Sequence, residues 1–145
     1  MKFTEDVVAS LRAFLRVDIA EYDRSGELLT PPEREARGAL LVAAFVVASE
    51  KRFGHAGTSE IVDFVARLRS RTEEMADLID PRTAERLISA AATEGSVDDI
   101  STYEKGTHYG PLLAAMVVEE SLTDDELDDF LSESLELAKG LPEAG

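Results

Sequence analysis

Ten consecutive residues, Ala39 to Ala48, read Ala-Leu-Leu-Val-Ala-Ala-Phe-Val-Val-Ala, without one polar side chain. Just upstream, Thr30-Pro31-Pro32-Glu33 has the Thr-x-x-Glu form of a capping box, with proline at the first helical position, where its missing N–H is harmless. The run therefore belongs to a helix over about 33–53. Its centre is apolar all round, so other elements have to cover it on every side. Ten residues are half of the about 20 that a helix needs to cross a bilayer, so it is a core helix and not a membrane span.

A second helix of the same kind is expected over about 111–121, where Leu112 to Val118 are uninterruptedly apolar. It is expected to face the first. The remaining stripes are amphipathic. Phe3, Val7, Val8, Leu11, Phe14, Leu15, Ile19 and Tyr22 recur at three and four, which predicts a helix over 3–22 ending in the turn composition Asp23-Arg24-Ser25-Gly26. Ile61, Phe64, Val65, Leu68, Thr72, Met75 and Ile79 predict another over 59–78. Asp80-Pro81 opens a shorter helix carrying Ala84, Leu87, Ile88 and Ala91, stopped at Gly95. Thr123-Asp124-Asp125-Glu126 is a second capping box, and its helix carries Leu127, Phe130, Leu131, Leu135, Leu137, Ala138 and Leu141 before Gly140 and Pro142 end it. Nothing periodic survives between Thr102 and Pro111, which predicts a long irregular loop. No stretch alternates as a strand does, and no repeat recurs at a fixed period. The expected fold is all-α: a single domain, 1–145, built as an irregular bundle of about six helices around the two apolar ones.

The chain has 145 residues, 44% hydrophobic and 31% charged, a mixture that suits one globular domain. Cysteine is absent, which excludes disulfides, thiolate metal sites and cysteine nucleophiles. Glu5 and Asp6 precede any apolar block, unlike a secretory signal, so the expected location is cytoplasmic.

The formal charge of −15 is lopsided. Residues 1–72 hold 11 basic and 11 acidic side chains; residues 73–145 hold 4 against 19, so this acidic C-terminal half carries the whole excess. A field of that sign repels phosphate backbones and anionic membranes and attracts cationic partners. Neither nucleic acid nor membrane is expected as a partner, and a basic protein is. The basic cluster Arg67, Arg69 and Arg71 does not change this, because the helix after it offers only Arg82 and Arg86 as a recognition element. Helical spacing brings Asp125, Asp129, Glu133 and Glu136 onto one stripe, the candidate docking face.

A second candidate site is the 103–111 loop. There His108 has the chemistry of a general base or metal ligand, Glu104 that of an orienting carboxylate, and Tyr103 and Tyr109 that of ligand-stacking or hydrogen-bonding groups. His55, between Gly54 and Gly57, is the only other histidine and could join it. No cofactor is expected; a divalent metal would use His55 and His108 with carboxylates, although no His-Glu-x-x-His, Glu-x-x-His or calcium-loop spacing supports it. Nucleotide-binding and hydrolase motifs are absent. The leading expectation is a non-catalytic interaction or regulatory protein that docks a basic partner through its acidic half. The alternative is a small helical metal- or ligand-binding enzyme or sensor built on the 103–111 loop with His55. Either leaves a homo-oligomer open.

Overall fold

The computed structural model describes residues 1–140 apart from Glu94, so the expected helix end at Leu141 and Pro142 lies outside the described residues. Every regular element among the described residues is an α-helix, as expected, but there are eight: α1 (Glu5–Leu15), α2 (Ile19–Leu28), α3 (Pro31–Phe53), α4 (Thr58–Arg69), α5 (Glu73–Leu78), α6 (Pro81–Thr93), α7 (Thr102–Glu120) and α8 (Asp124–Gly140). No helix among them is long and apolar enough to cross a membrane. The helices group into two compact units, Met1–Ala44 with the chain from Val117 onward, and Phe45–Met116.

In the first unit, α1 buries Val7, Leu11 and Leu15 while α8 buries Leu127, Phe130 and Leu131. The Thr30 capping box forms both ways: Glu33 N–H donates to Thr30 Oγ1 at 3.4 Å and Thr30 N–H to Glu33 Oε1 at 3.0 Å. Glu33 also accepts from the Thr4 hydroxyl at 2.6 Å, which joins the starts of α1 and α3 and holds the Glu33 carboxyl below its ordinary range. The expected single helix over 3–22 is two helices. The chain turns at Val17, and Asp18 caps α2 by accepting the Glu21 N–H at 3.2 Å. The expected turn at 23–26 lies inside α2, where buried Gly26 leaves room for the Arg37 guanidinium: a Cβ at that position would stand 2.7 Å from Arg37 Nη1. Arg37 lies over the Tyr22 ring, 4.1 Å from its centroid, and donates to Ser10 Oγ at 2.8 Å.

In the second unit the core gathers Phe45, Phe53, Phe64, Ile79, Leu87, Ile88, Leu112, Leu113 and Met116. The expected helix over 59–78 breaks at Ser70–Thr72. Thr72 is a cap and not a stripe residue, its Oγ1 accepting the Met75 N–H at 3.0 Å. Arg69 then closes α5, donating to the carbonyls of Ala76 at 3.1 Å and Ile79 at 2.9 Å. The run Ala39–Ala48 has no exposed residue, and in this unit the two apolar helices meet as expected: the Phe45 and Tyr109 rings lie 4.9 Å apart, and Ser49 Oγ lies 4.0 Å from Met116 Sδ.

The expected 103–111 loop is helix. α7 starts nine residues before Pro111, capped where Ser101 Oγ accepts the Glu104 N–H at 3.1 Å. Gly106, Gly110 and Pro111 disfavour a helix by about 1 kcal/mol per glycine and about 3 kcal/mol for proline. Burial of Leu112 and Leu113 downstream and of His108 within the segment outweighs that.

Candidate functional site

His108 is 4% exposed and fully used inside the fold. Its Nε2 accepts the Asp80 backbone N–H at 3.0 Å, so that nitrogen carries no proton. The proton sits on Nδ1, which donates to the Glu104 carbonyl at 2.7 Å. The imidazole thus ties α7 to the junction of α5 and α6. Asp80 completes the joint: its carboxylate accepts the Thr83 N–H at 2.8 Å as the cap of α6, which holds its pKa below the ordinary value. Neither ring nitrogen is left to take a substrate proton or a metal. Glu104 contributes its carbonyl to this arrangement and not its carboxylate.

The other members of the segment diverge. Tyr103 is 80% exposed at the start of α7. Tyr109 is half buried, and burial pushes its hydroxyl pKa up, so it stays a neutral donor. Its ring borders a recess of about 230 Å³ lined by Phe45, Val46, Leu87, Ala90, Ala91 and Val97. That is below the roughly 300–1,000 Å³ usual for ligand pockets and leaves room for one small ring. Tyr109 supplies the lining's single polar side chain. His55 is exposed in the α3–α4 turn; Gly54 is required there, because a Cβ would collide with the Glu50 carbonyl. Among the described residues no three His, Asp or Glu groups come together as a metal-holding cluster.

On α8 the acidic side chains fall into two sets. Asp124 and Asp128 flank α1 and are paired across to it. Arg16 Nη2 lies 2.8 Å from Asp124 Oδ1, Arg12 Nη2 lies 3.2 Å from the same oxygen, and Arg12 Nη1 lies 3.1 Å from Asp128 Oδ1. Neither arginine was singled out by sequence, because nothing in a one-dimensional stripe shows which helix will lie beside it. Asp125, Asp129 and Glu136 lie opposite the buried stripe of Leu127, Phe130, Leu131 and Ser134. They are exposed and in no ion pair among the described residues. Glu133 shares this stripe and has an interaction of its own within the chain. Glu126 is occupied by the second capping box, accepting the Thr123 N–H at 2.9 Å, which lowers its pKa.

Compared with known protein families, curated proteins and solved structures, the chain matches none.

Proposed function

We propose that this chain is a non-catalytic cytoplasmic interaction or regulatory protein whose acidic C-terminal half docks a basic protein. The observation that supports it most is the division of labour on α8: Arg12 and Arg16 neutralise Asp124 and Asp128, while Asp125, Asp129 and Glu136 carry uncompensated charge on the outward face. Like charges at i,i+4 weaken a helix by a few tenths of a kcal/mol, a standing penalty that a cationic partner relieves. Complementary charge at such a rim steers encounter and sets specificity more than affinity. The tagged chain should retain a basic protein from lysate at low ionic strength and release it in salt. Asp125→Lys with Asp129→Lys and Glu136→Lys should abolish retention while leaving the helical signal intact. Equal retention by that triple variant overturns the proposal.

A second reading, a small-molecule sensor, draws support from the recess at Tyr109, with its apolar lining and one neutral hydroxyl. Phenol, indole and benzyl alcohol are suitable probes. Stabilisation by any of them, weakened in Tyr109→Phe, would favour it; a flat melting temperature across the series counts against it. His108 has no place in this reading, since its nitrogens are engaged with Asp80 and Glu104.

A further inference from the structure

Among the described residues, a single hydrogen bond joins residues 102–110 of α7 to another element, and His108 makes it. This is also the part of α7 least suited to a helix, with Gly106 and Gly110 ahead of Pro111. Pro111 has no N–H, so the Thr107 carbonyl, four residues back, receives no helical bond from it. Tyr109 packs on Phe45, but a weak helical segment tied by one polar contact is a unit that opens locally when the contact is lost.

That contact depends on the charge of the imidazole. Nε2 accepts the Asp80 N–H at 3.0 Å only while it carries no proton, and Nδ1 already donates to the Glu104 carbonyl at 2.7 Å. No other protonation state of the ring keeps both bonds. A proton taken up at Nε2 would set two donors facing each other at the distance of the present bond. Two charged groups face the ring from the elements packed against it. One is the Asp80 carboxylate at the α5–α6 junction; the other, behind it, is Arg69 of α4, which donates to the Ala76 and Ile79 carbonyls. From α3, residues 39–49 bring no ionisable side chain. An imidazolium therefore competes for the Asp80 carboxylate with the Thr83 N–H, which that carboxylate now caps at 2.8 Å.

We propose that His108 is an acid-responsive latch: proton uptake at Nε2 breaks the bond to Asp80 and releases residues 102–110 of α7 from the α5–α6 junction. The latch is independent of the acidic face of α8 and of the Tyr109 recess as a ligand site. It holds while the ring is neutral and is lost on acidification. Relief of self-repulsion acts the other way on the whole chain over the same interval, so the readout has to be local.

Nuclear magnetic resonance of the full chain between about pH 8 and about pH 5 provides it. Long-range nitrogen spectra follow the imidazole, and amide exchange, expressed as protection relative to the unfolded rate at each pH, follows the joint. As Nε2 gains its proton, protection of the Asp80 amide and of the amides of 106–110 should fall about tenfold or more, while Phe64 and Val65 of α4 keep theirs. His108→Gln offers the Asp80 N–H a carbonyl that does not titrate, and its protection should not vary with pH. His55→Gln should respond as the parent does. Ring and amides are read in the same unmodified chain, so the outcome does not depend on how well His108→Gln folds. A ring that stays neutral with both bonds intact to about pH 5 overturns the latch. So does a ring that takes a proton while the Asp80 amide keeps its protection, or an equal pH-dependent loss in His108→Gln.

Discussion

At the scale of single residues, two side chains do the opposite of what their type suggests. Val17 is an apolar residue that stays in water in a left-handed backbone, and His108 is a titratable residue withdrawn from water. Each makes a stability prediction. Replacing Val17 by glycine relieves a left-handed penalty of about 1–2 kcal/mol, part of which returns as the greater backbone freedom of glycine in the unfolded chain. Denaturant titration should therefore find Val17→Gly more stable by up to about 1 kcal/mol; a destabilised variant would show that the valine packs usefully in solution. Replacing His108 by leucine keeps the volume but strands the Asp80 N–H, whereas the Glu104 carbonyl still accepts the Thr107 hydroxyl at 3.0 Å. The expected loss, for one part-buried donor left without its partner, is about 1 kcal/mol. Unchanged stability in His108→Leu would mean that water replaces the ring. The sequence offers His108 as a general base or metal ligand; in the fold its ring is engaged with Asp80, 28 positions away, and no local spacing encodes that distance.

At the scale of elements, legibility followed the side chains that act locally. Both Thr-x-x-Glu boxes form, because cap and acceptor lie within one turn of each other. The two apolar runs lie in helices that meet around Phe45 and Tyr109, because a continuous apolar surface has no stable alternative to burial. The breaks were harder. Position 17 carries valine where glycine would have announced the turn, and Thr72 falls in register with an apolar stripe although it works as a cap. The segment 102–111 was unreadable for the reverse reason. Its glycines and proline are breakers by propensity, and tertiary burial overrides them. α7 allows a direct check: Gly106 is exposed and helical, with nothing within 4 Å of where a Cβ would stand. Gly106→Ala should stabilise the chain by about 0.5–1 kcal/mol. A loop with glycine-specific backbone would be destabilised by the same change, so thermal unfolding of this one variant distinguishes helix from loop.

At the scale of the whole molecule, the charge of −15 sets two opposing responses, and their sum is measurable. Excess negative charge repels itself at neutral pH and destabilises the compact state. Against it work the surface pairs of Arg12, Arg16 and Arg86, the last holding Asp99 through both guanidinium nitrogens at 2.7 and 2.8 Å. Exposed pairs contribute about 0–1 kcal/mol each, so repulsion is the larger effect. Raising NaCl from about 0.01 M to about 1 M shortens the screening length from about 30 Å to about 3 Å. The melting temperature at pH 7 should therefore rise with salt; a fall would show that the ion pairs outweigh the net charge. Acid reveals the other side. Glu33, Asp80, Asp99 and Glu126 all have pKa values lowered in the fold, by hydrogen bonds from threonines in three cases and by Arg86 in the case of Asp99. A lowered folded pKa means that the unfolded chain binds protons first, so this stabilisation is present above the ordinary carboxylate range and is lost as pH falls through the folded values. As protonation also removes repulsion, stability should hold or rise on descending from neutrality to the top of the carboxylate range, then drop below it as the caps of α3, α6 and α8 are protonated. Replacing Glu33 and Glu126 by glutamine keeps the box geometry without the titrating group. The double variant should flatten the acid limb of that profile, and an unaltered limb would assign the acid loss to groups other than the helix caps.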